Sequence, residues 1–466
     1  MKKLLVDYYR CPERYDDFRI AGELPADTGY FRFGEDTVCY GQTSSGLSAK
    51  TATCNLDDVL EETQLKEGTC LLPLDPKQVV DNLRRERYLP NLHNEKRSSG
   101  KALIRALYYQ VRPLLPVSVR KHLQRFYLRG WDEVPFPSWP VDRTVDRFHE
   151  KLLALTLQAH SLDRVPFVWF WPNGYMSSAV MTHDVETATG RDFCSSLMDT
   201  DDSFQIKSSF QLIPEKRYII SEDFLRSIRE REFEVCVHGL CHDGHLFRNH
   251  DEFLRRAARI NQYAKEWSAL GFRSPVLYRN LDWYEALDFS YDMSVPNVAH
   301  LDPQKGGCCT VMPYFINNIL EIPLTTTQDY TLFNILDDYS MKLWKTQLEL
   351  IMAEHGLISF NIHPDYIIRK RASHTYNTLL EYLAELRSDR QVWIALPREV
   401  NTWWRQRSQM KLILKNGDWR IEGPGSDQAR VAYAMLDGDV VVYEIEGRRT
   451  QRSKSTFNTR LEAVPR

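Results

Sequence analysis

The 466-residue chain lacks any apolar run near the ~18 residues a membrane-spanning helix needs. Its start, MKKLLVDYYR, is basic, but only Leu4, Leu5 and Val6 separate the lysines from Asp7, too little for the apolar region of a secretory leader. The expectation is a cytoplasmic protein, able to sit peripherally at the inner membrane face. There is no CxxC pair. Nine cysteines, with Cys308 and Cys309 adjacent, read as a reduced set rather than a disulfide framework. Charge of one sign is also scarce: the net value of −3 argues against a general nucleic-acid binder. Aromatics, by contrast, reach 12%, which suits a large α/β core and also a carbohydrate-facing surface.

Pattern divides the chain in three. Residues 1–145 read as an accessory region. GYFRFGEDTVCYGQ, from Gly29, alternates around a Gly-Glu-Asp turn as a β-hairpin does. A helix should start at Pro76 with Asp75 as its cap. Between Arg84 and Arg129 twelve Lys/Arg face two acids, Glu86 and Glu95, and Val119, Leu123, Phe126 and Tyr127 share a helical face after Ser118. Such basic helices can dock on a membrane surface or an anionic polymer; a solvated face is the plainer reading. A proline-rich linker from Trp131 to Val145 follows. Residues 146–405 alternate helical and strand patterns seven or eight times, implying α/β architecture with a parallel sheet, most simply a (β/α) barrel. Residues 406–466 carry Asn-Gly, Pro-Gly and Asp-Gly turns between short strands, a small antiparallel β module.

Chemistry concentrates in VCVHGLCHDGH, Val235 to His245. An apolar strand ends at Gly239, and His238 and His242, four apart, can present two imidazoles to one divalent metal. An isolated HxxxH could equally be two ordinary polar residues. Other chemistry-bearing residues also fall at predicted strand ends, however: Asp184 and Glu186, Arg273, Asp282 with Trp283, and His363. Active sites in parallel barrels form at such ends.

With these residues in place, the stretch from Ser177 to Val400 resembles the polysaccharide deacetylases of carbohydrate esterase family four, which share the chitooligosaccharide-deacetylase homology domain. MTHDVE stands where that family has TFDDG, HGLCH matches H(S/T)xxH, GFRSP resembles RxPxG, LDWYEAL is a loose match to an Asp/Trp segment, and ISFNIHP matches a strand ending in His. The resemblance implies a distorted barrel and a metal-dependent hydrolase. It would remove an N- or O-linked acetyl group from a sugar or polysaccharide precursor, with water activated by a divalent metal, Zn²⁺ first among candidates. It implies His238 and His242 as metal ligands, Asp184 as general base, Arg273 as the group holding that base ionised, His363 as general acid and Asp282 as the residue tuning it. Trp283 and Pro275 would contact substrate.

The sequence departs from the family where a metal-binding Asp should follow the base: Val185 has no donor atom. Glu186, on the same strand face as Asp184, could take its place. Alternatively, Asp184 binds the metal and Glu186 or another group is the base, or the site is inactive. A non-catalytic glycan-binding scaffold and an amidohydrolase of a non-sugar C–N bond therefore stand as the other readings. GFRSP also lacks the family's Gly, leaving the loop after Arg273 undefined. Cys236 reads as a core residue more than a ligand, Cys241 and His245 are similarly ambiguous, and His183 should face away from Asp184.

Overall fold

The computed structural model describes residues 3–46, 48–52, 55–66, 68–89, 128 and 130–450. Its centre is a ring of parallel strands: β1 (Ser177–Val185), β2 (Ser208–Leu212), β3 (Glu234–His238), β4 (Gly271–Arg273), β5 (Tyr291–Asp292), β6 (Ile319–Glu321) and β7 (Leu357–Asn361). They lie in the order β6-β5-β4-β3-β2-β1-β7, an eighth parallel strand, Val392–Ile394, pairs with the base of β1, and Tyr314–Ile316 runs antiparallel outside β6. The seam between the chain after β6 and β7 is closed mostly by side chains. Thr325 Oγ1 donates to the Leu357 carbonyl at 2.8 Å and accepts from the Ser359 N–H at 2.9 Å, while the Thr326 N–H reaches the Ser359 carbonyl at 3.3 Å. The result is the expected α/β fold, a distorted barrel.

Period-two alternation sorts each strand between the barrel interior and the helical layer outside. On β1, Val180, Thr182 and Asp184 face inward; on β3, Glu234, Cys236 and His238 do; on β7, Leu357, Ser359 and Asn361 do. Their neighbours Ala179, Met181, Val185, Val235, Val237, Ile358 and Phe360 pack under the helices. The outer helices begin on side-chain caps: Ser221 caps Glu222–Glu230, Asn249 caps His250–Glu266, and Thr187 caps Ala188–Ser203 through the Gly190 N–H. Gly271 opens β4. A Cβ there would lie 2.3 Å from the Tyr291 ring, so only glycine fits the barrel floor.

The flanks join the barrel. The Pro76–Arg84 helix starts on Asp75, whose carboxylate accepts from the Lys77 and Gln78 N–H groups. The predicted hairpins are present: Gly29–Arg32 with Val38–Gly41, Lys411–Lys415 with Asp418–Glu422, and Val431–Asp437 with Val440–Ile445. At the Asn416-Gly417 turn both residues have positive φ, 56° and 87°, as a two-residue hairpin of this kind requires. The last hairpin extends onto Val165–Val168, and Tyr443 Oη meets Tyr9 Oη at 2.9 Å. The buried Arg407 guanidinium donates to the carbonyls of Tyr8, Val168 and Trp169, so amino-terminal, central and carboxy-terminal segments share one core. Most of the basic segment predicted as helices, 90–127 and 129, lies outside the described residues. The part that is described is paired: Arg85 and Arg87 bind Asp81, and Arg84 sits 5.2 Å from the Tyr314 ring centre. No helix among the described residues is long and apolar enough to cross a membrane.

Candidate active site

The inward-facing residues at the carboxy-terminal ends of β1, β3, β4 and β7 are Asp184, His238, Arg273 and Asn361, and these make the floor of the site. Arg273 is fully buried. Its Nη1 donates to Asp184 Oδ1 at 3.0 Å and to Thr182 Oγ1 at 2.7 Å, and its Nε donates to the Met293 carbonyl at 2.9 Å. The other carboxylate oxygen, Asp184 Oδ2, accepts from Asn361 Nδ2 at 2.8 Å. Burial alone would raise the Asp184 carboxyl, but Arg273, helped by His238 and His363, brings it down to about 2. Asp184 is thus a fixed, ionised carboxylate.

Val185 turns outward into the apolar layer, and its carbonyl accepts from Tyr218 Oη at 2.6 Å. Glu186, just past the strand end, returns to the interior side. Its Oε1 lies 2.7 Å from His242 Nε2, 3.8 Å from His238 Nε2 and 3.5 Å from His363 Nε2. Burial favours a neutral Glu186, but the surrounding histidines, His242 foremost, hold its carboxyl well below the usual range.

The turn carrying the histidines is tight. Gly239 has φ of +63°, and a Cβ there would come within 2.4 Å of Pro275 Cγ. Pro275, expected to contact substrate, packs against this glycine and so shapes the turn. His242 itself has φ of +50°, a conformation uncommon for non-glycine residues and concentrated at functional sites. Arg217 donates to the His242 carbonyl at 2.7 Å.

The donor set fits a divalent metal. His238 Nδ1 lies 3.1 Å from the Arg273 carbonyl, which can only accept, so Nδ1 carries the proton and Nε2 presents its lone pair to the site. Nε2 is buried with no hydrogen-bond partner, and neither is the nearby His242 Nε2 aligned for one. The ligand atoms of Glu186, His238 and His242 all lie within 4.8 Å of one another. Two imidazoles and a carboxylate are a set used by catalytic zinc.

His363 completes the ring. Asp329 Oδ1 takes its Nδ1–H at 2.7 Å, and Asp329 Oδ2 takes its backbone N–H at 2.8 Å. Burial would lower the imidazole, but Asp329 outweighs it, with Glu186 adding, and raises it well above the ordinary value. The residue expected in the tuning role, Asp282, stands elsewhere. It is on a surface turn, largely exposed, paired with Arg85 at 3.3 Å. Asp329 occupies that place instead because the chain after β6 runs beside β7, whereas the Leu281–Ala286 turn lies outside the barrel. Trp283, expected to line a sugar pocket, packs with Phe247, Phe253 and His250. Cys236 is a core thiol 3.2 Å from Tyr291 Oη. Cys241 Sγ lies 3.7 Å from Arg256, and His245 is near Asp243 at the surface. His183 faces outward to Asp201 at 3.2 Å, as alternation requires.

Sequence reading therefore found Asp184, Glu186, His238, His242, Arg273 and His363, which the fold brings together. It missed Asp329, Asn361 and Gln328. The position of Gln328-Asp329, one residue beyond the strand EIPLTT, was the available signal for two of these.

The chain is similar to polysaccharide deacetylases of known structure. A protein from Mycobacterium smegmatis assigned to that group is 19% identical, with 51% of this chain and 93% of that one covered and a TM-score of 0.42. One from Pseudomonas aeruginosa, assigned likewise, is 11% identical over 50% and 93% of the two chains, with a TM-score of 0.39. The Puue allantoinase is 14% identical over 50% and 92%, also at 0.39. No family model and no curated protein sequence matches the chain.

Proposed function

We propose that the protein is a metal-dependent hydrolase that removes an acetyl group, N- or O-linked, from a sugar or polysaccharide precursor. The observation that carries this reading is one mouth holding three differently prepared groups. These are an open Glu186-His238-His242 donor set, an ionised Asp184 clamped by Arg273, and a protonated His363 held by Asp329.

Glu186, His238 and His242 would hold the metal, most simply Zn²⁺. Bound there, it would lower the pKa of water and polarise the acyl carbonyl. Asp184, oriented by Arg273 and Asn361, would accept the proton of the attacking water. His363, kept as imidazolium by Asp329, would deliver a proton from Nε2 to the departing amine or alkoxide. Glu186 would take over the ligand role that Val185 cannot perform, since Glu is one methylene longer than Asp and starts one residue further along.

The test is elemental analysis of the purified protein beside acetate release from a panel of acetylated mono- and oligosaccharides. About one equivalent of a divalent metal and acetate release abolished by chelation and restored by metal are expected. A fully metallated protein that releases acetate from no member of the panel would overturn the assignment.

A further inference from the structure

Asp184 differs from Glu186 in having both oxygens engaged, and the second engagement leads away from the site. Asn361 Nδ2 uses its two hydrogens on Asp184 Oδ2, at 2.8 Å, and on Gln328 Oε1, at 3.2 Å. Gln328 Nε2 in turn donates to Asp302 Oδ1 at 3.0 Å. The ends of this chain fix its polarity. Asp302 accepts, so Gln328 must show it the amide nitrogen and turn its oxygen to Asn361; Asn361 must then show nitrogen to both neighbours. A flipped Asn361 would set carbonyl oxygen against the Asp184 carboxylate. The arrangement leaves Asn361 Oδ1 buried with no partner, a cost folded proteins rarely leave unexplained. The residue after Gln328 is Asp329, which holds His363 through both oxygens.

We infer that Asp302, Gln328 and Asn361 form a polarised hydrogen-bond strut that fixes the orientation of Asp184, making Gln328-Asp329 a two-residue clamp that sets base and acid together. Gln328, Asn361 and Asp302 are positioning residues: they act through Asp184. The inference rests on the proposed hydrolase reading for its kinetic consequence, but the strut itself is a matter of geometry.

A charge-swap cycle tests it. Gln328→Glu sets a carboxylate against Asp302 and breaks the first link. Adding Asp302→Asn supplies a donor to that new carboxylate, whose other oxygen still accepts from Asn361, so the strut is rebuilt with altered chemistry. The expected result is a fall in kcat of about 10- to 100-fold in the single variant, the scale of a misplaced catalytic group. KM should stay within about twofold and metal content should not change. Most of the kcat should return in the double variant. Wild-type kcat in Gln328→Glu, or no recovery in the double variant, would overturn the inference.

A second readout needs no activity. In a crystal structure of Gln328→Met the Asn361 amide should leave Asp184 and the carboxylate should rotate; an unchanged Asn361–Asp184 bond would overturn the strut. If the wild type releases no acetate from any substrate, the hydrolase reading fails while this structural arm still decides the strut.

Discussion

Two pairs of carboxyls, one of them including the half-buried Glu186, lie in the same barrel wall and behave in opposite ways. Asp184 and Glu186 end β1 on the inner side; Asp292 and Glu321 are register partners on β5 and β6, facing the outer layer beneath Tyr284. Burial penalises charge in both pairs. Around the first, Arg273 and three histidines outweigh that penalty, and both groups are ionised. Around the second, Asp292 is compensated first by its hydrogen bond with Glu321 and then by Ser294, and Glu321 by the Val295 N–H with lesser help from Arg279. Burial, then the repulsion of Asp292, drives Glu321 well above its ordinary range, and Asp292 is raised as well. Depth alone therefore does not set the charge of a carboxyl in this barrel; the cation facing it does.

Arg273→Gln should produce the largest effect, because it makes the first pair resemble the second. Asp184 would keep its burial and lose its guanidinium, and stranding one partner of a buried pair costs about 3–5 kcal/mol. Urea unfolding should show that loss, and acetate release should disappear. Retained activity would mean that Asp184 needs no cation.

Next come the variants that separate the two carboxylates of the inner pair. Asp184→Asn should keep the metal, since His238, His242 and Glu186 remain, and lose turnover by about 10²–10⁴-fold as expected for a missing base. Glu186→Gln should instead lower metal content, read by elemental analysis after dialysis. The reverse pattern would exchange their roles. His363→Asn should leave metal content intact and lower turnover within the same 10²–10⁴-fold range, as loss of a general acid does; unchanged turnover at every pH would remove His363 from the chemistry.

Much of the inner pair's setting was legible in the sequence, and the reasons are local. A strand that ends in HGLCH announces its histidines, and two-residue periodicity puts Asp184 inside and Val185 outside before any coordinates are known. The tuning role expected of Asp282 rests on the loose match of LDWYEAL to the family's Asp/Trp segment, and the fold does not bring that segment to His363. The Leu281–Ala286 turn leaves the barrel, and Asp282 finds Arg85 on the accessory region. Asp329 and Gln328 carry no motif of their own. Their importance comes from the seam where the chain after β6 meets β7, a long-range pairing that no sequence window contains. The carboxy-terminal hairpins show the same limit. Their Asn-Gly and Asp-Gly turns were plain, but the antiparallel addition of Val431–Ala434 to Val165–Val168 was not.

The smallest effect should come from the outer pair. Glu321→Gln keeps the acceptor for the Val295 N–H and removes a carboxyl that the fold holds protonated, so stability at acidic pH should change by less than about 1 kcal/mol. The sign of the pH dependence follows from proton binding. With the folded pKa above the ordinary 4.5 of glutamate, the native state holds a proton that the unfolded state has released. That contribution is fully present below pH 4.5 and is lost as pH rises toward the folded value. Wild-type stability should therefore decline across neutral pH by an amount that Glu321→Gln reduces, and the two proteins should diverge in the variant's favour as pH increases. Urea midpoints measured from pH 5 to pH 8 check this directly. If the two curves run parallel, Glu321 is ionised in the native state, and the contrast between the two pairs must come from something other than the facing cation.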